Sequence, residues 1–511
     1  MHQDAADKRF LVVSNRLPIS IARDREGRLV ARQGAGGLVT AMAPVLKNRG
    51  GIWLGWPGTS EQGVRGMCRA FSREAGYLLW PVELTDADVE GFYNGFSNEI
   101  LWPLFHEFLA RCNFSPAYWE AYQAANLKFA TVTAAMAKDE DFIWVHDYHL
   151  MLVAKYLKET GKRSRVGFFL HIPFPQADMF LKIPWRRQLL SALLEYDLIG
   201  FQTLRDLRNF VESVKRVYPS AVRRGRGQVT TLHANGRSPR IGSFPIGIDF
   251  QSFVETARKP ERKEAAREIR KAFRDRFLLF SADRLDYTKG VPQRLDALRA
   301  ALERYPELRE RICLIQVLVP SREEVPQYQS MKMEIERLVG EINGRFSTPG
   351  WAPVYFTYRN LPREELVGYY LAADMALVTP LRDGMNLVAK EYAACNVSGT
   401  GILCLSEFAG AAMELHSHAV MVNPFDVDGM AEAIREGALM GIDQRRRRMR
   451  AIRAILKRYD IFWWVDAFLQ AAFSTHLEDF PPREDGYWEA LEESMGPPWH
   501  LPADSGDESA S

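Results

Sequence analysis

Short apolar runs alternate with longer mixed segments along almost the whole chain. Phe10–Ser14, Phe142–Val145, Val166–Leu170 and Leu198–Phe201 are such runs. The pattern resumes after Pro245 with Phe277–Ser281, Cys313–Val319, Val354–Thr357, Met375–Val378, Ile402–Leu405 and Ala419–Val422. Runs this short and this apolar suit strands buried on both faces, as in parallel sheets. Helical stripes lie between them. Leu204, Leu207, Phe210, Val211, Val214 and Val217 share one face, and Met331–Ile342 mixes apolar and charged positions at similar spacing. Strand–helix alternation predicts an α/β protein with helices on both faces of each sheet. Two such blocks predict two Rossmann-like, doubly wound lobes facing across a cleft, residues 1–244 and 245–458, with a hinge near 243–250. A helical segment over 459–480 follows, and its stretch Ile461–Phe473 is expected to cross back onto the first lobe. Residues 218–242, rich in Arg, Gly and Ser, read as a surface hairpin or loop. Residues 496–511, rich in Pro, Ser and acids, read as a disordered tail.

Composition narrows the function classes. In 511 residues, 47% are hydrophobic and 25% charged, enough for a large core and against disorder throughout. Lys plus Arg number 66 and Asp plus Glu 64, a formal charge of +2. That is far from the basic balance of a dedicated nucleic-acid binder, though it leaves room for a local basic pocket. The run Arg445–Arg448 falls in a helical stretch and reads as a solvated face. Five cysteines without a C-x-x-C spacing argue against a disulfide framework or a zinc ribbon. The polar start, the short apolar stretch after it and the lack of a run of about 18 apolar residues predict neither signal peptide nor membrane span. A cytoplasmic protein is expected. His146 and His149 lack the companions of a metal site, and no phosphate-binding P-loop or G-x-S-x-G elbow occurs.

Ligands of open α/β sheets bind at the carboxyl ends of the strands, so the residues there are the candidates. After the first run come Asn15 and Arg16, then Gly34–Gly37, which opens a helix at Leu38 and could turn backbone N–H groups toward an anion. After Phe142–Val145 comes Asp147, able to accept from sugar hydroxyls. After Val166–Leu170 comes His171; a lone histidine is more often structural, but this one lies directly beyond a buried strand. In the second block Arg284 and Lys289 flank a loop that opens a helix. Two cations there suit a diphosphate whose charge grows as it leaves; surface salt bridges are the plain alternative. Arg322 follows the next strand. Thr379–Asn386 leads into a helix beginning near Leu387, whose N–H groups can hold a phosphate. Asp383 can hold sugar hydroxyls and Glu391 a ribose diol.

Nine stretches carry a resemblance: Val12–Arg16, Gly36–Leu38, Trp53–Trp56, Phe92–Asn98, Leu101–Pro103, Trp144–Leu150, Gly167–Pro175, Arg284–Gly290 and Arg382–Glu391. In this order, over about residues 8–475, they resemble the trehalose-6-phosphate synthases, retaining glycosyltransferases of the GT-B fold. The resemblance implies transfer of glucose from UDP-glucose, or another nucleoside diphosphate glucose, to glucose 6-phosphate. The products are α,α-trehalose 6-phosphate and the nucleoside diphosphate. It implies that Arg16, Tyr93, Asp147 and Arg322 hold the acceptor, Arg16 and Arg322 at its phosphate, and that Trp102 selects the acceptor anomer. Gly36, Gly37, Arg284, Lys289, Leu361, Asn386, Leu387, Val388, Ala389, Lys390 and Glu391 would hold the donor. His171 and Asp383 would touch the transferred glucose, and Arg284, Lys289, His171 and Asp383 form the expected catalytic set. Neither a cofactor nor a metal is implied. Partners are a nucleotide sugar and a sugar phosphate, with no nucleic acid and no membrane; self-association is left open. No D-x-D-x-T phosphatase motif occurs, so a separate phosphatase is expected downstream. The rivals are a glucosylglycerol-phosphate synthase using glycerol 3-phosphate and a silent sugar-phosphate sensor. Ser14–Arg16 and Gly36–Leu38 favour the trehalose reading.

Overall fold

A computed structural model describes residues 9–474, apart from 24–25, 27–28, 35–37, 40–41, 44–45, 48–49, 62, 226, 275 and 322–325. The expected tail at 496–511 therefore lies outside the described residues. In the first half the strands are β1 (Phe10–Arg16), β2 (Ile19–Arg23), β3 (Leu29–Gln33), β4 (Ile52–Trp56), β5 (Leu78–Pro81), β6 (Phe142–His146), β7 (Arg165–Phe169), β8 (Leu198–Phe201), β9 (Val222–Arg224), β10 (Val229–His233) and β11 (Arg240–Ser243). Nine of them form one sheet in the order β5-β4-β1-β6-β7-β8-β11-β10-β9, and β2 and β3 make a separate hairpin. Pairing is parallel from β5 through to β11 and antiparallel at β10 and β9. Along β1, Phe10 and Val12 pack into one core and Leu11 and Val13 into another. Both faces are covered, which is why the run is apolar without alternation.

The second half supplies β12 (Phe277–Arg284), β13 (Ile312–Val319), β14 (Val354–Tyr358), β15 (Met375–Val378), β16 (Ile402–Ser406) and β17 (Val420–Val422). Their order, β14-β13-β12-β15-β16-β17, is the dinucleotide-fold order with every pair parallel. In each sheet the strand order reverses beside its first strand: between β1 and β6, and between β12 and β15. Those two switch points open the crevices where ligands bind.

The apolar runs expected as strands all form strands. Those not expected carry weaker signals. β4 is interrupted by Gly55, β5 is short and ends on Pro81, and β10 and β11 carry Thr, His, Arg and Gly. The tract 218–242 is more than a surface loop. Its β9–β10 hairpin joins β11, which extends the main sheet by pairing with β8.

The final described helix, Ile461–Phe473, packs on the first sheet, not the second. Phe468 stacks on Trp144 of β6 with ring centroids 4.3 Å apart and planes 7° from parallel. Gly167 and Gly200 leave the space it fills; a Cβ on either would lie 2.9 or 2.7 Å from its ring. The Trp464 indole N–H donates to the Phe244 carbonyl at 3.0 Å. Arg165 and Arg240 cap the helix by donating to the carbonyls of Ala472 and Ala471, both at 2.7 Å.

Candidate active site

At the first switch point, β1 ends on the exposed Arg16, whose guanidinium lies 4.5 Å from the Trp56 ring centroid. Tyr93 sits on a π-helix, Val89–Leu101, and stacks on His149 at 5.8 Å and 15°. Tyr93 also lies 6.1 Å from Trp56, so Arg16, Trp56, Tyr93 and His149 form one continuous wall. Trp102 follows the π-helix and is buried against His106 and Tyr148, at 4.2 and 5.8 Å. Asp147, directly after β6, has φ 75°. Its Oδ1 accepts the N–H of His171 at 3.2 Å. Burial pushes its carboxyl up to about 7, against the pull of the Tyr148 and His171 N–H groups and of Arg284. His171 Nε2 lies 3.1 Å from His146 Nδ1. Burial lowers His171 to about 3, and burial together with His171 lowers His146, so both rings are neutral.

At the second switch point Arg284 ends β12 with its side chain exposed. Lys289 Nζ lies 2.5 Å from Asp383 Oδ2 and the Asn386 amide donates to the same oxygen at 3.1 Å. Burial opposes ionisation of Asp383, yet Lys289 holds it below its ordinary range. Asn386, at φ 74°, caps the helix Leu387–Cys395; its Oδ1 is buried without a hydrogen-bond partner among the described residues. Leu387 and Val388 are partly exposed at the helix start, whereas Ala389 is buried. The Lys390 ammonium is fully buried, paired with Glu414 and donating to the Ile246 carbonyl, so only its backbone could meet a ligand. Glu391 accepts from the Tyr370 hydroxyl at 2.9 Å, and burial raises its carboxyl. Leu361 is buried just ahead of the helix Arg363–Ala372.

The two crevices face each other. Arg284 is close enough to Asp147 to pull its pKa down. Gly384 abuts the first lobe so tightly that a Cβ there would lie 2.1 Å from the His171 carbonyl oxygen. Arg382 pairs with Glu107 at 3.6 Å, and Tyr287 meets Phe108 and Arg111 at 5.1 and 4.4 Å. Arg16, Tyr93, Trp102, Asp147 and His171 thus gather on one side, and Arg284, Lys289, Asp383, Asn386 and the start of the helix at Leu387 on the other. Gly36, Gly37 and Arg322 lie outside the described residues.

Sequence reasoning missed three buried groups. The His106 Nδ1–H donates to the Trp102 carbonyl at 2.7 Å. Burial lowers it to about 4, within reach of the charges of Asp286, Asp383 and Lys289. Its one sequence signal is the four-residue spacing from Trp102. Arg294 is wholly buried and donates to Asp283 at 2.7 Å, Gln316 at 3.0 Å, Thr379 at 3.0 Å and the Lys289 carbonyl at 3.2 Å. It ties the end of β12 to the middle of β13 and to the residue after β15. Gln202, directly after β8, faces His171. Among the described residues no cluster of three or more His, Cys, Asp or Glu could hold a metal ion, and no helix is long and apolar enough to cross a membrane.

The arrangement presents cations and a helix start on one wall and a buried carboxyl group, Asp147, on the other. The family model for glycosyltransferase family 20 matches residues 8–473. A trehalose-6-phosphate synthase of Mycobacterium marinum is 40% identical over 478 residues, 93% of this chain and 95% of that protein. A bifunctional trehalose-6-phosphate synthase/phosphatase of Thermoproteus tenax is 42% identical over 477 residues; these are 91% of this chain but only 64% of that longer protein. Among solved structures, an α,α-trehalose-phosphate synthase (UDP-forming) from Burkholderia xenovorans in complex with glucose 6-phosphate is 35% identical. It superposes with a TM-score of 0.82 over 91% of this chain and 99% of that one.

Proposed function

Because this chain belongs to glycosyltransferase family 20, we propose that it moves glucose from UDP-glucose to glucose 6-phosphate, giving α,α-trehalose 6-phosphate and UDP. One observation carries the reading. The cations that suit a leaving diphosphate, Arg284 and Lys289, face the carboxylate that suits a sugar acceptor, Asp147, across two opposed switch points.

Residues 1–244 are assigned to the acceptor, 245–458 to the donor, and 459–480 to a segment that returns to the acceptor lobe. Arg16 and Arg322 meet the acceptor phosphate, Tyr93 and Asp147 its hydroxyls, and Trp102 its anomeric side. The donor diphosphate lies on Arg284, Lys289, Gly36, Gly37 and the N–H groups from Leu387 onward. Leu361 borders the base and Glu391 takes the ribose diol. Asp383 and His171 border the transferred glucose. As the bond from C1 to the diphosphate oxygen breaks, negative charge grows on that oxygen and is stabilised by Arg284 and Lys289. The acceptor's anomeric oxygen attacks C1 on the same face, and its proton passes to the leaving oxygen. Asp147 orients the acceptor in this scheme. The cytoplasm is the proposed location; both substrates are phosphorylated, and all five cysteines are free thiols. Dephosphorylation is left to a separate phosphatase.

The deciding experiment measures UDP release by the purified protein from UDP-glucose, with glucose 6-phosphate or glycerol 3-phosphate as acceptor. Release with glucose 6-phosphate alone, and a non-reducing disaccharide phosphate as product, is expected. Release with glycerol 3-phosphate alone would transfer the chain to the other acceptor class and undo the roles of Tyr93 and Asp147.

A further inference from the structure

Gln202 is 1% exposed and stands between the site and the segment that joins the lobes. Its Oε1 accepts the N–H of Ile246 at 3.0 Å. A backbone N–H can meet only the oxygen end of the amide, so the orientation of the amide is determined. Its Nε2 therefore faces His171 Nδ1, 3.5 Å away. Nδ1 must be an acceptor, and a neutral imidazole carries one proton, so His171 holds it on Nε2. That N–H points at His146 Nδ1, 3.1 Å distant. A single directional chain results: Ile246 N–H to Gln202, Gln202 to His171, His171 to His146.

The other side of Ile246 belongs to the second lobe. Its carbonyl accepts from Lys390 Nζ at 2.8 Å, and Lys390 is paired with the buried Glu414. Lys390 lies on the helix whose first turn is assigned above to the donor phosphates. One linker residue is thus gripped by a first-lobe amide at its N–H and by a second-lobe ammonium at its carbonyl.

We propose that Gln202 is a positioning residue that sets the tautomer and tilt of the His171 ring and, through Ile246, makes both depend on how the second lobe is seated. Its effect on turnover rests on the glucosyl-transfer reading; its effect on the tautomer does not.

Nitrogen-15 NMR of protein labelled in histidine tests this. The chain has ten histidines, and the His171 signals are identified by their loss in His171→Gln. Near neutral pH the wild type should show His171 with a bare Nδ1 and a protonated Nε2. In Gln202→Glu the carboxylate still accepts from Ile246 but sets an acceptor opposite Nδ1, so Nδ1 should become protonated. A protonated Nδ1 in the wild type, which needs no variant to fold, would overturn the proposal, as would identical spectra in the two proteins. Gln202→Met keeps the volume and removes both hydrogen bonds. It should lower kcat by about 10- to 100-fold, the scale for misplacing a contact at the reacting centre. KM for glucose 6-phosphate should stay within about twofold. Unchanged kcat in folded Gln202→Met would remove the positioning role. The expected tautomer in a protein that releases no UDP would instead count against the functional reading alone.

Discussion

Asp147 combines strain with a displaced pKa. Among the described residues six non-glycines have positive φ, and three of them, Glu107, Asp147 and Asn386, lie where the lobes meet. Such backbone costs about 1–3 kcal/mol per residue and persists where the surroundings impose it. Asp147 is also pushed up to about 7 by burial, so it titrates in the working range. If its ionised form orients the acceptor, kcat/KM for glucose 6-phosphate should rise with pH and level off above about 7. Stability runs the other way. Between the ordinary value of 3.8 and about 7 the folded protein holds a proton that the unfolded chain has lost, so stability falls across that window and stays low above it. Asp147→Asn should therefore abolish this part of the pH dependence and melt higher than the wild type at pH above 7. Parallel melting curves at every pH would refute the assignment. Arg284→Ala should lower kcat by about 10²–10³-fold, the scale for one transition-state donor. Full turnover in the folded variant would take Arg284 out of the mechanism. Arg284, Lys289 and Asp383 could be read as candidates because each is a charge at, or in the loop just beyond, the carboxyl end of a buried run. Gln202 was not. Its partners lie 31 and 44 residues away in the chain, and nothing local marks them.

Two elements shape the site from behind. The π-helix Val89–Leu101 is wide enough to hold Tyr93 toward Arg16 while Phe92 and Phe96 stay fully buried. The apolar spacing of an ordinary helix does not announce that widening, so the motif was readable and its geometry was not. The helix Ile461–Phe473 is the opposite case. Its composition is overwhelmingly apolar, which demands cover on several sides, and the cover is the first sheet. Phe468→Ala should cost about 3–5 kcal/mol, the scale for removing a buried aromatic ring. Urea unfolding followed at the tryptophans would read it, and a loss below about 1 kcal/mol would mean that the site collapses to refill the space. The glycines at 167 and 200 belong to the same packing unit. Together they are the seat of one ring.

At the scale of the whole molecule, the alternation of runs and stripes foretold two doubly wound lobes, because parallel sheets covered on both faces leave that signature. Strand order and the lobe-to-lobe contacts stayed hidden, since both depend on pairings between distant residues. One tight approach is Gly384 against the His171 carbonyl. Gly384→Ala would put a methyl group 2.1 Å from that oxygen and 2.9 Å from the Ile172 Cα, so the lobes could not come as near. Small-angle scattering should then show a larger radius of gyration than the wild type with both substrates present. Turnover should fall at least about 10-fold. Wild-type dimensions with wild-type turnover would show that this approach does not matter. The helix that returns to the first sheet has a further consequence, for the order of synthesis. A ribosome delivers the first lobe's strands long before Ile461–Phe473 emerges, so the face around Trp144, Gly167 and Gly200 waits uncovered while the entire second lobe is translated. The lobe that is made first is completed last, and a nascent chain halted before Ile461 carries an open, aromatic-rich sheet for which a chaperone is the natural temporary cover.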